Sequence, residues 1–107
     1  MLFRSSLPHG YLKRLELARS LALRPDLVVL DELFSGMSMA EVAGTLPILE
    51  KLKERGTTLL MVEHRLKELF RVANRVIVLN YGRKVADGSP RDVMEVEAVK
   101  EAYLGSE

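Results

Sequence analysis

The chain has 107 residues, 48% of them hydrophobic and 29% charged, with a formal net charge of +1 and no cysteine. That is room for one domain with a modest core. It excludes disulfides and cysteine-based zinc sites, and the interleaving of acids with bases argues against a nucleic-acid partner or a polybasic membrane anchor.

Tyr11 to Arg24 is rich in Leu, Ala, Arg, Lys and Glu. Tyr11, Leu15, Ala18 and Ala22 recur at helical spacing, so an amphipathic helix is expected. Pro25 ends it by disfavouring helical geometry at Arg24. Leu27–Leu30 is a short apolar run of the kind found in strands buried on both faces. Ser38–Glu41 (SMAE) matches a capping box, which predicts a helix to about Arg55 with Gly56 just past its end. Pro47 lies inside it and implies a kink or a late start. Thr57–Val62 (TTLLMV) reads as a second buried strand. Leu66, Leu69, Phe70 and Ala73 mark a further helix, and Arg75–Leu79 (RVIVL) a third strand. A turn at Tyr81–Gly82 leads to a short return strand. Ser89 caps a helix starting at Pro90, and Val96, Val99 and Tyr103 indicate a last helical segment. Helix and strand alternate, so the fold class is α/β with a mainly parallel sheet. No apolar run is long enough to span a bilayer, and the opening MLFRSSLPHG has no secretory-type apolar stretch, so a cytoplasmic protein is expected.

The sharpest feature is where the apolar runs stop. Asp31 and Glu32 follow the first, and Glu63 and His64 follow the second. In open α/β sheets, ligands bind beyond the carboxyl ends of the strands. If the two strands are neighbours, these groups share one rim. There an Asp can hold Mg²⁺ through water, a Glu can orient or deprotonate an attacking water, and a His can bond a phosphate oxygen. Such a set suits nucleotide hydrolysis. Each residue also has a plainer reading, since acids after a strand often cap the next helix or face solvent, and a lone His is more often structural. The doubling of the pattern shifts the balance toward chemistry.

The stretches LPHGYLKRLELARSLALRPDLVVLDELFSGMS, TTLLMVEH and VIVLNYGRKVADGSP, in that order and at those intervals, resemble the second half of an ABC-transporter ATP-binding subunit. The ending VMEVEAVKEAYLGSE is similar to the tail of the subunits that energise branched-chain amino acid uptake, so residues 90–107 correspond to that tail. The resemblance implies a P-loop NTPase core of the RecA-like, three-layer type, lacking the P-loop strand. It implies that Leu7, Pro8, His9, Gly10 and Tyr11 are the signature motif, which touches the γ-phosphate of ATP held by the opposite subunit. A helix N-terminus there, with free N–H groups and a favourable dipole, suits an anion. Asp31 takes the magnesium side of the Walker B strand and Glu32 the role of catalytic base. Ser35–Ser38 is the D-loop, with Ser38 its binding residue, and His64 is the switch histidine that contacts the γ-phosphate. The implied ligands are ATP and Mg²⁺. The implied partners are a second ATP-binding subunit, identical or different, and transmembrane permease subunits that would hold the protein at the inner face of the cell membrane.

Several positions depart from the family pattern. Pro8 stands where a serine is usual, which removes a hydroxyl and an N–H, and His9 replaces a glycine. Leu33 replaces a proline, Ser38 and Met39 replace an Asn/Asp–Pro pair, and Arg65 stands where an Asp is usual. The largest departure is that none of the glycines 10, 36, 44, 56, 82, 88 and 105 belongs to a G-x-x-x-x-G-K-[ST] loop, the element that cradles the α- and β-phosphates. The chain therefore resembles half a nucleotide-binding domain, expected to be inactive alone and marginally stable or self-associating through exposed strand edges. Three readings stay open: the C-terminal part of a working importer ATPase, a non-catalytic fragment that pairs with an intact subunit or a permease, and a gene remnant.

Overall fold

The computed structural model describes residues 9–104, without the side chain of His9. Leu7 and Pro8 of the expected signature motif, and the last three residues of the expected tail, lie outside the described residues. The chain divides into two compact units, Met1–Glu63 and His64–Glu107.

The first unit runs α1 (His9–Leu23), β1 (Leu27–Asp31), α2 (Met39–Glu54) and β2 (Thr58–Val62). Helix α1 stops at Leu23, and Arg24 leaves the helical region ahead of Pro25 as expected, but by turning to φ +51° rather than to the extended conformation usual before a proline. Helix α2 opens on the full capping box. Ser38 Oγ accepts from the Glu41 N–H at 3.1 Å, and Glu41 Oε1 accepts from the Ser38 N–H at 2.9 Å. The box fixes the first turn, so the late start at Pro47 does not occur. The carbonyl that Pro47 leaves unbonded belongs to exposed Ala43, where water can take the missing bond. Val42, Thr45, Leu49 and Leu52 form the buried stripe of α2. The helix closes in a Schellman motif, in which Thr57 N–H reaches Leu52 O (3.0 Å), Gly56 N–H reaches Lys53 O (2.9 Å), and Gly56 takes φ +89°.

β1 and β2 pair in parallel, from Leu27↔Thr58 to Asp31↔Val62. The expectation that these strands are buried on both faces is corrected here. Val28, Leu30, Leu59 and Met61 are half-buried, whereas Leu27, Val29, Leu60 and Val62 are 53–59% exposed. In a two-stranded sheet the described helices cover one face and leave the other to solvent.

The second unit runs α3 (Leu66–Val72), β3 (Val76–Asn80), β4 (Arg83–Gly88), α4 (Pro90–Val93) and α5 (Glu97–Leu104). The hairpin β3–β4 is antiparallel, with β4 the return strand expected after the Tyr81–Gly82 turn. Tyr81 (φ +49°) and Gly82 (φ +75°) make its two-residue turn with positive φ at both positions, as a type I′ hairpin requires. Ser89 caps α4 through its bond from the Asp92 N–H, with Pro90 in the first turn. Val76, Val93 and Val99 form the buried core, flanked by Phe70, Ala73, Val78, Ala86, Met94 and Val96. Phe70 and Tyr103 stack with ring centroids 5.7 Å apart. Among the described residues β2 pairs only with β1, and β3 only with β4.

Candidate ATP-hydrolysis site

The parallel register brings the carboxyl ends of β1 and β2 together, as the sequence reading required. Asp31 is the partner of Val62, and the Glu32 N–H continues the ladder to the Val62 carbonyl at 2.8 Å. Asp31 and Glu32 are both exposed at this edge. Glu63 follows on the same edge, and exposed His64 is the next residue in the chain.

Glu32 has φ +53°. A left-handed conformation costs a non-glycine residue about 1–2 kcal/mol, and it persists where the surroundings over-determine it. Lys13 of α1 supplies part of that constraint. Its ammonium donates to the carbonyls of Glu32 (3.1 Å), Leu33 (3.0 Å) and Ser35 (2.7 Å). Glu63 supplies more, because its Oε2 accepts from the Phe34 N–H at 3.1 Å. Leu33, Phe34 and Met37 are buried, which anchors the loop between β1 and α2.

Sequence reasoning missed both of these supports. Glu63 looked like one more acid on the rim, but its carboxylate is turned to a backbone amide. Lys13 left no local signal, since its acceptors are carbonyls 19 to 22 residues away.

The expected signature residues lie at the start of α1, where His9 opens the helix. Gly10 is buried and Tyr11 is 45% exposed. A Cβ on Gly10 would overlap the Glu41 carboxylate, and one on Gly44 would meet the Arg14 guanidinium at 3.2 Å. Glycines at these two points therefore let α1 lie close on the first turns of α2. Ser38 is exposed at the head of α2, with its hydroxyl oxygen engaged as the cap. A groove of about 320 Å³ runs between α1 and β1, with Lys13 and Asp31 on its wall.

The Asp31 carboxylate has no hydrogen bond or ion pair to another described residue. No cluster of three or more metal-ligating side chains exists among the described residues. One exposed carboxylate fits Mg²⁺, which keeps several waters and takes its other ligands from substrate phosphates.

The chain is 34% identical over 102 residues to the lipopolysaccharide export system ATP-binding protein LptB of Escherichia coli K12, covering 95% of this chain and 42% of LptB. It is 34% identical over 101 residues to the high-affinity branched-chain amino acid transport ATP-binding protein BraF of Pseudomonas aeruginosa, covering 94% of this chain and 40% of BraF. A solved ATP-binding cassette of an ABC transporter superposes with a TM-score of 0.78 at 27% identity, over 94% of this chain and 41% of that one. The chain is a homologue of ABC-transporter ATP-binding subunits. Its α/β fold is that of ATP-binding cassettes, within the P-loop NTPases. No family model matches the chain. It spans about two-fifths of the length of the curated relatives it matches. The likeness to LptB is as strong as that to BraF. Among the described residues no helix is long and apolar enough to cross a membrane.

Proposed function

We propose that residues 1–107 are the C-terminal part of an ABC nucleotide-binding domain, and that they supply the hydrolytic face of an ATPase that drives transport. Asp31 would hold Mg²⁺ and Glu32 would orient and deprotonate the attacking water. His64 would bond the γ-phosphate. Residues Leu7 to Tyr11 and Ser38 would meet the ATP carried by a second ATP-binding subunit. Mg²⁺ held by Asp31 would supply positive charge against the negative charge that develops on the transferring phosphate. The two subunits would act beneath a transmembrane permease, on the cytoplasmic side.

The observation that carries this reading is the edge itself. Adjacent parallel strands end together in Asp31, Glu32 and Glu63, and Glu32 is held in a left-handed conformation by bonds from two other elements. Such strain is kept where a side chain must be aimed. The test is ATP turnover in the assembly that contains this chain. Glu32→Gln should lower kcat by roughly 10²–10⁴, the usual range for a lost general base. Undiminished turnover in that variant would remove Glu32 from the chemistry. The chain alone should bind ATP weakly in equilibrium dialysis, since these 107 residues contain no phosphate-cradling loop. Tight binding would mean the phosphates are held by residues other than those assigned here.

For the solute we propose a branched-chain amino acid, on the tail sequence through Ala102, Tyr103 and Leu104 and on the likeness to BraF. The equal likeness to LptB supports a second reading, an export ATPase. Native co-purification separates them, because the permease recovered with the chain belongs either to an amino-acid uptake system or to a lipopolysaccharide exporter.

A further inference from the structure

A lysine ammonium has three protons to donate. Lys13 points all three at one loop, to the carbonyls of Glu32, Leu33 and Ser35 at 3.1, 3.0 and 2.7 Å. The first of these acceptors is the residue whose backbone is left-handed at φ +53°. The peptide on the other side of Glu32 is fixed too, by its N–H bond to Val62 of β2 at 2.8 Å. Glu32 is therefore held between a strand on one side and helix α1 on the other. Lys13 also lies one helical turn beyond Gly10, at the end of α1 that carries the signature sequence.

We infer that Lys13 is the positioning residue for Glu32, fixing the left-handed peptide from which the carboxylate projects and tying it to helix α1. Any displacement of α1 against β1 is then delivered to Glu32 through one side chain. The inference rests on the reading of Glu32 as the water-activating carboxylate. A neutral side chain of similar length keeps the packing of the lysine stem and loses all three bonds. An arginine keeps the charge, but its planar fork cannot converge three donors as an ammonium does.

The experiment compares Lys13→Met, Lys13→Arg and Glu32→Gln by two readouts. One is steady-state ATP turnover of the assembly that contains the chain. The other is amide hydrogen exchange at Ser35 and Met37, whose N–H groups close the loop onto Glu32 and Phe34. Lys13→Met should lower kcat on the order of tenfold to a hundredfold, the cost of a misplaced catalytic group, with KM for ATP within about twofold. Exchange at Ser35 and Met37 should rise about tenfold while the β1–β2 ladder stays protected. Lys13→Arg should fall between. Unchanged exchange at Ser35 and Met37 overturns the inference, as does unchanged kcat in Lys13→Met when Glu32→Gln is inactive. Equal loosening of the ladder also overturns it, because Lys13 would then only stabilise the unit. If Glu32→Gln retains turnover, the reading of Glu32 fails instead, and exchange still decides whether Lys13 holds that peptide.

Discussion

Glu63 illustrates how a carboxylate at a strand end can serve the backbone rather than the reaction. Its Oε2 takes the N–H of Phe34, a residue fully buried in the first unit. Removing the acceptor leaves that amide without its protein partner, which costs about 1–3 kcal/mol for a buried donor. Glu63→Leu should therefore lower the unfolding free energy by about that much, seen as a lower denaturation midpoint. Glu63→Gln, which keeps a carbonyl oxygen in place, should lose less. Equal midpoints for the leucine variant and the parent would mean that water replaces the carboxylate. The sequence placed Asp31, Glu32 and Glu63 on one rim, because a strand that ends in acids is visible as a pattern. It did not separate the three, since the separation depends on which carboxylate meets an amide across the fold.

Helix α2 and the β3–β4 hairpin were legible because their ends are written in short-range chemistry. The SMAE box, Gly56, the Tyr81–Gly82 turn and Ser89–Pro90 all act within about four residues, so each could be read without the tertiary structure. Ser38→Ala should remove the box and cost about 0.5–2 kcal/mol of stability, and Ser38→Gly only a few tenths, by thermal or denaturant unfolding. A serine-to-alanine change without effect would mean that solvent caps α2 equally well. The bulge in β4 was not legible. Val78 faces Ala86 and Leu79 faces Lys84, so Val85 is the extra residue. The extra residue shifts the alternation, so that Lys84 and Asp87, three apart, come to the same side. Asp87 there accepts two bonds from Arg75 at 3.0 Å and one from Lys84 at 3.2 Å. The Arg75 hydrogen bonds, followed by the bond from Lys84, hold its carboxyl down from 3.8 to about 2. A depressed acid contributes stability above its ordinary value and loses it as the pH falls through its folded value. The hairpin should keep this contribution at neutral pH and lose it as the pH drops from 3.8 toward about 2. An NMR titration of the Asp87 carboxyl should find its midpoint near the lower figure, and one near the ordinary value would dissolve the argument. In Asp87→Asn the acid dependence of hairpin protection should flatten.

The α/β class and the pairing of the first two strands followed from the alternation of elements, but burial did not. An apolar run such as Leu27–Leu30 records that a strand is suited to being covered on both faces, not that covering layers lie within the same 107 residues. Here Leu27, Val29, Leu60 and Val62 stand together on one face of the β1–β2 sheet, each more than half exposed. Contiguous apolar surface of this kind is uncommon on a protein that stays monomeric, and a two-stranded sheet also presents open edges. The chain in isolation should therefore associate with itself as its concentration rises. Sedimentation velocity would register this as a weight-average mass above 12.1 kDa that climbs with loading. Leu60→Lys sits at the centre of the exposed face, where a charge opposes association and removes no buried contact. It should return the chain toward its monomer mass while circular dichroism stays that of the parent. A parent chain that remains monomeric with a sharp cooperative melt would show that the face is tolerated in water. A lysine variant that unfolds would show that the face is packed within the chain itself.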